Sequence, residues 1–188
     1  MLTGNLNEIY PLVISTYKPT FVKAVFFTSR EKSLKIIAPQ SDSFEIIPFE
    51  IKANKIITKK YKDFTLKLIR VHHGIVPALA LRIEVDKKSI LISGDTNNED
   101  KNLQKIAKNA DIFIAHHAIT QHSGRFAKDL HMQPSIIAQV AKDANVKKVV
   151  LTHRMKRTLK NEDESLNIIK KVFKGKVLFA EDRMKLKL

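Results

Sequence analysis

The spacing of apolar residues predicts alternating strands and helices over much of the chain. Short apolar runs typical of strands occupy 64–71, 79–85, 89–92, 112–115, 149–151 and 177–180. Between the later runs, apolar residues recur every three or four positions over 103–110, 134–144 and 166–173, and Pro134 stands where a first helical residue would. Strands that alternate with helices in this way favour a layered α/β domain.

The pattern is less regular towards the two ends of the sequence. Apolar positions within 5–28 have helical spacing that is interrupted at Pro19, so we expect a broken helix there. The runs 34–38, 44–51 and 184–188 predict further strands. Because no repeat, low-complexity stretch or linker divides the sequence, we expect a single domain over 1–188.

Composition and charge exclude several classes of protein and favour one kind of partner. The 188 residues include 44% apolar residues, which is enough for a core, and no cysteine, which excludes disulfides, thiolate metal ligands and a cysteine nucleophile. No apolar run is long enough to span a membrane and no signal peptide is detected, so a cytoplasmic location is expected. The net charge of +15 favours a polyanionic partner such as RNA, while a lysine-rich solvated surface is the alternative.

All seven histidines fall within one part of the sequence, and several of them follow predicted strands. His72 and His73 follow the apolar run 64–71, and Asp95 follows the run 89–92 through Ser93-Gly94. His116-His117 and His153 follow the runs 112–115 and 149–151. Strand ends are where layered α/β folds assemble their sites. Imidazole and carboxylate ligands together suit a divalent ion such as zinc or manganese. The full set of histidines is His72, His73, His116, His117, His122, His131 and His153.

Several of these segments resemble the metallo-β-lactamase fold, and ribonuclease Z within it. They are Ser93-Gly94-Asp95-Thr96 after a strand, His131 ahead of the helix that begins with Pro134, Leu151-Thr152-His153 at a strand end, and the stretch 73–83. The intervals between Asp95, His131 and His153 are also similar to those of ribonuclease Z. The resemblance implies an αββα sandwich and metal-dependent hydrolysis of phosphodiesters, with RNA as the substrate class.

The resemblance also implies roles for single residues. His73 would ligate one Zn²⁺ or Mn²⁺ ion, Asp95 would bridge two ions, and His153 would ligate the second. His131 would donate a proton to the leaving oxygen. In this scheme His116, His117 and His122 have no assigned role and are expected to form a polar rim.

The sequence departs from the family pattern at two places. The motif His-x-His-x-Asp-His is absent, because no histidine precedes His72, and Thr3-Gly4-Asn5-Leu6 resembles the segment that follows that motif. We therefore expect an N-terminally truncated sandwich. The family's His-Glu-Ala-Thr is replaced by His116-His117-Ala118-Ile119, which places a histidine at the glutamate position.

These departures leave two protein ligands for each ion, whereas catalytic zinc normally has three. Weak metal binding and impaired activity of the isolated chain are therefore expected. The alternative is a non-catalytic remnant, or a basic RNA-binding or interaction module. A truncated sandwich would also expose one sheet face, which a second copy or a partner chain would cover.

Each candidate residue has a structural alternative. Asp95 would cap a helix over 99–109, His131 would make a capping contact near Pro134, and His153 would be a solvated strand-end residue. A shift of one residue would exchange His72 for His73. The basic residues expected around His153 would form either a solvated face or a rim that attracts phosphate; they are Lys147, Lys148, Arg154, Lys156, Arg157 and Lys160.

Overall fold

The computed structural model describes residues 12–14, 23–25 and 54–186, in a chain that divides into the units Met1–Glu50 and Ile51–Leu188. In the first unit, strands β1 (Leu12–Ile14) and β2 (Lys23–Val25) pair in antiparallel orientation. The helix expected within 5–28 is therefore wrong at both strands, because short apolar runs fit either period and strand pairing decides between them. The expected strands at 34–38 and 44–51 lie outside the described residues, and the single domain over 1–188 stays a prediction.

The second unit is built on one mixed seven-stranded sheet whose spatial order follows the chain order. The first four strands pair in antiparallel orientation, and the last four are parallel to one another. Parallel pairs require crossover connections, which the helices provide. The strands are β3 (Ile57–Lys60), β4 (Thr65–Val71), β5 (Ala78–Val85), β6 (Lys88–Ile92), β7 (Ile112–His116), β8 (Lys148–Thr152) and β9 (Lys176–Phe179).

Three helices form one layer against this sheet, and two short helices lie in its connections. Helix α3 contacts both α1 and α5, and α1 also contacts β4 and β5. The short helices α2 and α4 were not predicted, since neither is long enough to show an apolar period. The helices are α1 (Asn102–Ala107), α2 (Arg125–Leu130), α3 (Pro134–Asp143), α4 (Lys156–Leu159) and α5 (Glu162–Val172). Within the described residues, no helix is both long and apolar enough to cross a membrane.

The core lies between the helix layer and one face of the sheet. Leu91, Phe113 and Val149 are paired across adjacent strands and are fully buried. Leu103 of α1 and Ile169 of α5 belong to the same buried cluster, which confirms the predicted apolar faces of these helices. Burial of such side chains contributes about 1.5–3 kcal/mol each and fixes the register of the strands.

Several apolar residues of the opposite sheet face are buried, which differs from the expectation. Leu66, Leu68, Leu81 and Val150 are each at most 5% exposed. The prediction of a large exposed sheet face is therefore wrong for these residues, and a second copy or partner chain stays a prediction. The strand expected over 184–188 is also wrong where the structure describes it, because 184–186 are irregular.

The four strands that end at or just before predicted site residues point towards the same edge. Strands β4 and β6 both pair in antiparallel orientation with β5, and β7 and β8 are parallel to β6. Their carboxyl ends therefore meet at one edge, as they do at the sites of other α/β sheets. This edge carries the predicted site residues that follow each strand.

Candidate metal centre

A tight turn after β6 positions Asp95. Gly94 has φ +60°, and a Cβ there would lie 2.3 Å from the carbonyl oxygen of Leu79, so only glycine fits the turn. The hydroxyl of buried Ser93 donates to the carbonyl oxygen of Gly94 at 2.7 Å and accepts from the N–H of His116 at 3.0 Å. Ser93 thereby links the ends of β6 and β7 and holds Asp95 and His116 near each other.

Three imidazole rings surround a single oxygen of the Asp95 carboxylate. Nδ1 of His116 lies 2.8 Å from Oδ1 and is hydrogen-bonded to it. Nδ1 of His131 and Nε2 of His153 each lie 3.6 Å from the same Oδ1. The structure therefore brings the predicted residues Asp95, His131 and His153 together, and it adds His116.

The histidines determine the charge state of Asp95. Burial of the carboxyl group would raise its pKa, but the hydrogen bond from His116 and the charges of His116, His153 and His131 outweigh burial and lower the pKa to about 2. Asp95 is therefore ionised over the whole physiological range. Its alternative role as a helix cap is not observed, because the first N–H groups of α1 bond to the side chains of Asp100 and Asn98.

His131 follows α2 and is the most buried of these rings, with 12% of its side chain exposed. Its Nδ1 is buried and has no hydrogen-bond partner. Burial lowers the pKa of His131, although the charge of Asp95 opposes that change. The alternative of a capping contact to α3 is not observed, since Gln133 occupies the N-cap and the N–H of Ser135 bonds to Gln121.

The structure separates His73 from His72. Nδ1 of His73 lies 2.8 Å from the carbonyl oxygen of Leu130, so this nitrogen carries the proton and Nε2 is left as a ligand atom. Ligand histidines commonly donate their second N–H to a backbone carbonyl in this way. The ring of His73 lies 5.0 Å from that of His131, whereas His72 bonds to Asn97. Of the two residues, His73 is thus the better placed to act as a metal ligand beside His131.

His153 leaves β8 in an unusual backbone conformation. Its φ is +54°, in the left-handed region that is costly for a residue with a side chain. Such strain commonly occurs at functional sites. Thr152 is paired with His116 across β8 and β7, and the two imidazole rings of His153 and His116 lie 5.1 Å apart. The left-handed backbone of His153 is therefore found where its ring lies close to that of His116.

These residues have the donor chemistry of a divalent metal site. One ligand atom each from Asp95, His116 and His153 lies within 4.8 Å of the others. Nitrogen and carboxylate ligands of this kind suit Zn²⁺. His73 is not in this set. Sequence reasoning assigned His116 to a polar rim, although its position at the end of β7, beside the ends of β6 and β8, was a signal that could have identified it.

The neighbouring His117 points away from this centre into the core. Its side chain is fully buried, and its Nε2 lies 3.0 Å from the hydroxyl of Ser165 on α5. Burial, aided by the charge of Arg154, lowers the pKa of His117 to about 4. His117 is therefore a neutral structural residue rather than part of a rim. His122, by contrast, is exposed beside Glu164.

The basic residues expected around His153 do not form one group. Lys147 pairs with Asp111 at 2.8 Å, at the opposite edge of the sheet. Arg154 is bonded to Glu162 and Glu181. Arg157 donates to the carbonyl oxygen of Ala118, and its charge acts on His131. Of these three basic residues, Arg157 is the one whose charge lowers the pKa of a histidine of the candidate centre.

Comparisons with known proteins identify the fold. No family model matches the chain. Ribonuclease Z from Archaeoglobus fulgidus is 32% identical over 122 residues, which make up 61% of this chain and 37% of that protein. Ribonuclease Z from Methanosarcina acetivorans is 32% identical over 102 residues. The chain thus matches about a third of the length of these relatives.

A solved structure gives the same result for the architecture. The metallo-β-lactamase fold protein YhfI from Bacillus subtilis superposes with a TM-score of 0.63 at 21% identity, over 76% of this chain and 56% of that one. This similarity confirms the predicted fold class. The chain therefore has the metallo-β-lactamase fold, and the matched part of its sequence is ribonuclease Z-like.

Proposed function

We propose that this protein is a metal-dependent phosphodiesterase that acts on RNA. The observation that carries the proposal is the arrangement of His116, His131 and His153 around Oδ1 of Asp95. Three imidazoles around one ionised carboxylate are suited to hold a divalent cation and to move protons.

Two further observations support RNA as the substrate class. The sequence relatives are named as ribonucleases. The net charge of +15 favours association with a polyanion, and Arg157 lies where its charge acts on His131.

In this proposal some residues of the site bind metal ions and His131 donates a proton. His73 and Asp95 would hold one ion, and Asp95 and His153 would hold a second. A bound divalent ion supplies a Lewis acid for the phosphoryl oxygen and a nucleophile at neutral pH. Nδ1 of His131 is buried against Asp95, so we assign to Nε2 the proton that is given to the leaving oxygen. Oδ1 of Asp95 lies 3.6 Å from Nδ1 of this ring.

The test is cleavage of an end-labelled structured RNA by the full chain supplied with Zn²⁺ or Mn²⁺. We expect Asp95→Asn to abolish cleavage, because the carboxylate shared by all three imidazoles is lost. His131→Ala should lower the rate about 10²–10⁴-fold, the usual contribution of a general acid. Asp143→Asn, which changes an exposed aspartate on α3, is the matched control and should leave the rate unchanged.

Two outcomes would contradict the proposal. Cleavage that survives Asp95→Asn would show a contaminating nuclease or a different site. Salt-sensitive RNA binding without cleavage at any metal concentration would instead favour the alternative of a non-catalytic RNA-binding module. A DNA of the same sequence, assayed in parallel, shows whether the 2′-hydroxyl is needed.

A further inference from the structure

The arrangement around Asp95 contains more ligands for one ion than the family resemblance assigns. That resemblance gives the second ion only Asp95 and His153. In the structure, His116 ends the neighbouring strand and directs Nδ1 at the same carboxylate oxygen. We infer that Asp95, His116 and His153 form a three-ligand site for a single divalent transition-metal ion, with His116 as a direct ligand.

The distances fit such a site. Tetrahedral zinc with bonds of about 2.0–2.1 Å places its ligand atoms about 3.3 Å apart. Oδ1 of Asp95 lies 2.8 Å from Nδ1 of His116 and 3.6 Å from Nε2 of His153, and the three ligand atoms lie within 4.8 Å of one another. Both distances from Oδ1 of Asp95 differ from that spacing by about half an ångström or less.

The hydrogen bonding around Asp95 also points to a cation. Of the three imidazole nitrogens that face Oδ1, only that of His116 is within hydrogen-bond distance. Nδ1 of His131 is buried without a hydrogen bond and lies 3.6 Å from the same oxygen. His131 itself is outside the three-ligand set.

The backbone fixes which ring nitrogen His116 and His153 each direct at Asp95. The N–H of His116 is bonded to the hydroxyl of Ser93, which in turn bonds to Gly94 beside Asp95. His153 presents Nε2 from its left-handed turn. The structure thus specifies different ligand atoms, Nδ1 for His116 and Nε2 for His153, and this difference can be measured.

The experiment is a zinc titration of the full chain, followed by long-range ¹H–¹⁵N spectra of the histidine rings. We expect one tightly bound ion per chain, with coordination shifts at Nδ1 of His116 and Nε2 of His153. His116→Gln should lower zinc affinity at least tenfold and remove one imidazole from the coordination sphere. His122→Gln, at an exposed histidine, is the matched control and should change neither.

The ring spectra separate a ligand from a hydrogen-bond partner. If His116 only orients Asp95, its ring nitrogens will show no coordination shift in the wild-type protein, and the inference is overturned. Zinc binding that is unchanged in His116→Gln also overturns it. The wild-type spectrum decides the question even if the variant does not fold.

This inference shares Asp95 and His153 with the proposed function, but the two fail separately. Zinc held by His116 without RNA cleavage would leave this site standing and reject the hydrolase. RNA cleavage by a protein in which His116 does not coordinate zinc would support the hydrolase and reject the three-ligand site. A chain that binds neither Zn²⁺ nor Mn²⁺ would contradict both.

Discussion

Acidification should destabilise the fold through His117. The ring is fully buried against Ser165, and its pKa is lowered to about 4 from an ordinary value of 6.5. The unfolded chain therefore binds a proton near pH 6.5 that the folded chain resists until about pH 4. The contribution to stability is fully present above pH 6.5 and is lost as the pH falls through this window.

The size of the effect follows from the shift in pKa. Each pKa unit corresponds to about 1.4 kcal/mol, so the full loss below pH 4 is about 3 kcal/mol. Between pH 7 and pH 5 the linkage relation gives a loss of about 2 kcal/mol. That is a large fraction of the ~5–15 kcal/mol by which domains are stable.

The assay is urea unfolding at pH 7 and pH 5, in chelator, followed by far-UV circular dichroism because the chain has no tryptophan. His117→Gln should remove about 2 kcal/mol of the difference between the two pH values. His122→Gln, at an exposed histidine, should leave the difference nearly unchanged. Equal pH dependence in wild type and His117→Gln would show that His117 is not the source of the effect. An NMR titration that gave His117 an ordinary pKa would refute the reasoning independently.

Three further substitutions test how the site is supported. Gly94→Ala forces a Cβ against the backbone of Leu79 and should lower the free energy of unfolding by at least ~1 kcal/mol in urea, whereas Gly124→Ala meets no atom within 4 Å and should cost less; equal effects would contradict the turn. Ser93→Ala removes the acceptor of the β7 N–H and should cost about 1–2 kcal/mol and several-fold in zinc affinity by calorimetry. Arg154→Gln leaves two glutamates unpaired and should cost about 2 kcal/mol, and an unchanged urea midpoint would argue against those pairs.

The sequence predicted the fold well where apolar periods were long. Helix α3 is confirmed, because Pro134 fixes its start and its apolar residues are buried. The short strands β1 and β2 were mistaken for helix, since a few apolar residues fit both periods and only pairing distinguishes them.

The candidate site was predicted in part for a similar reason. Asp95 and His153 could be placed by strand ends and by resemblance. His116 was also recognised at a strand end but was not assigned as a ligand, because its proximity to Asp95 depends on the parallel pairing of β6, β7 and β8 and on the hydrogen bonds of Ser93. A sequence shows which residues end a strand, but it does not show which neighbouring strand ends meet.

The proposed site consists of Oδ1 of Asp95 and the imidazoles of His116 and His153, which together would hold a divalent ion. The most direct measurement is anomalous diffraction at the zinc edge from crystals of the full chain grown with zinc. The account predicts a peak within about 2.0–2.2 Å of Oδ1 of Asp95, Nδ1 of His116 and Nε2 of His153. Zinc found only at other positions, or no anomalous peak at this edge of the sheet, would contradict it.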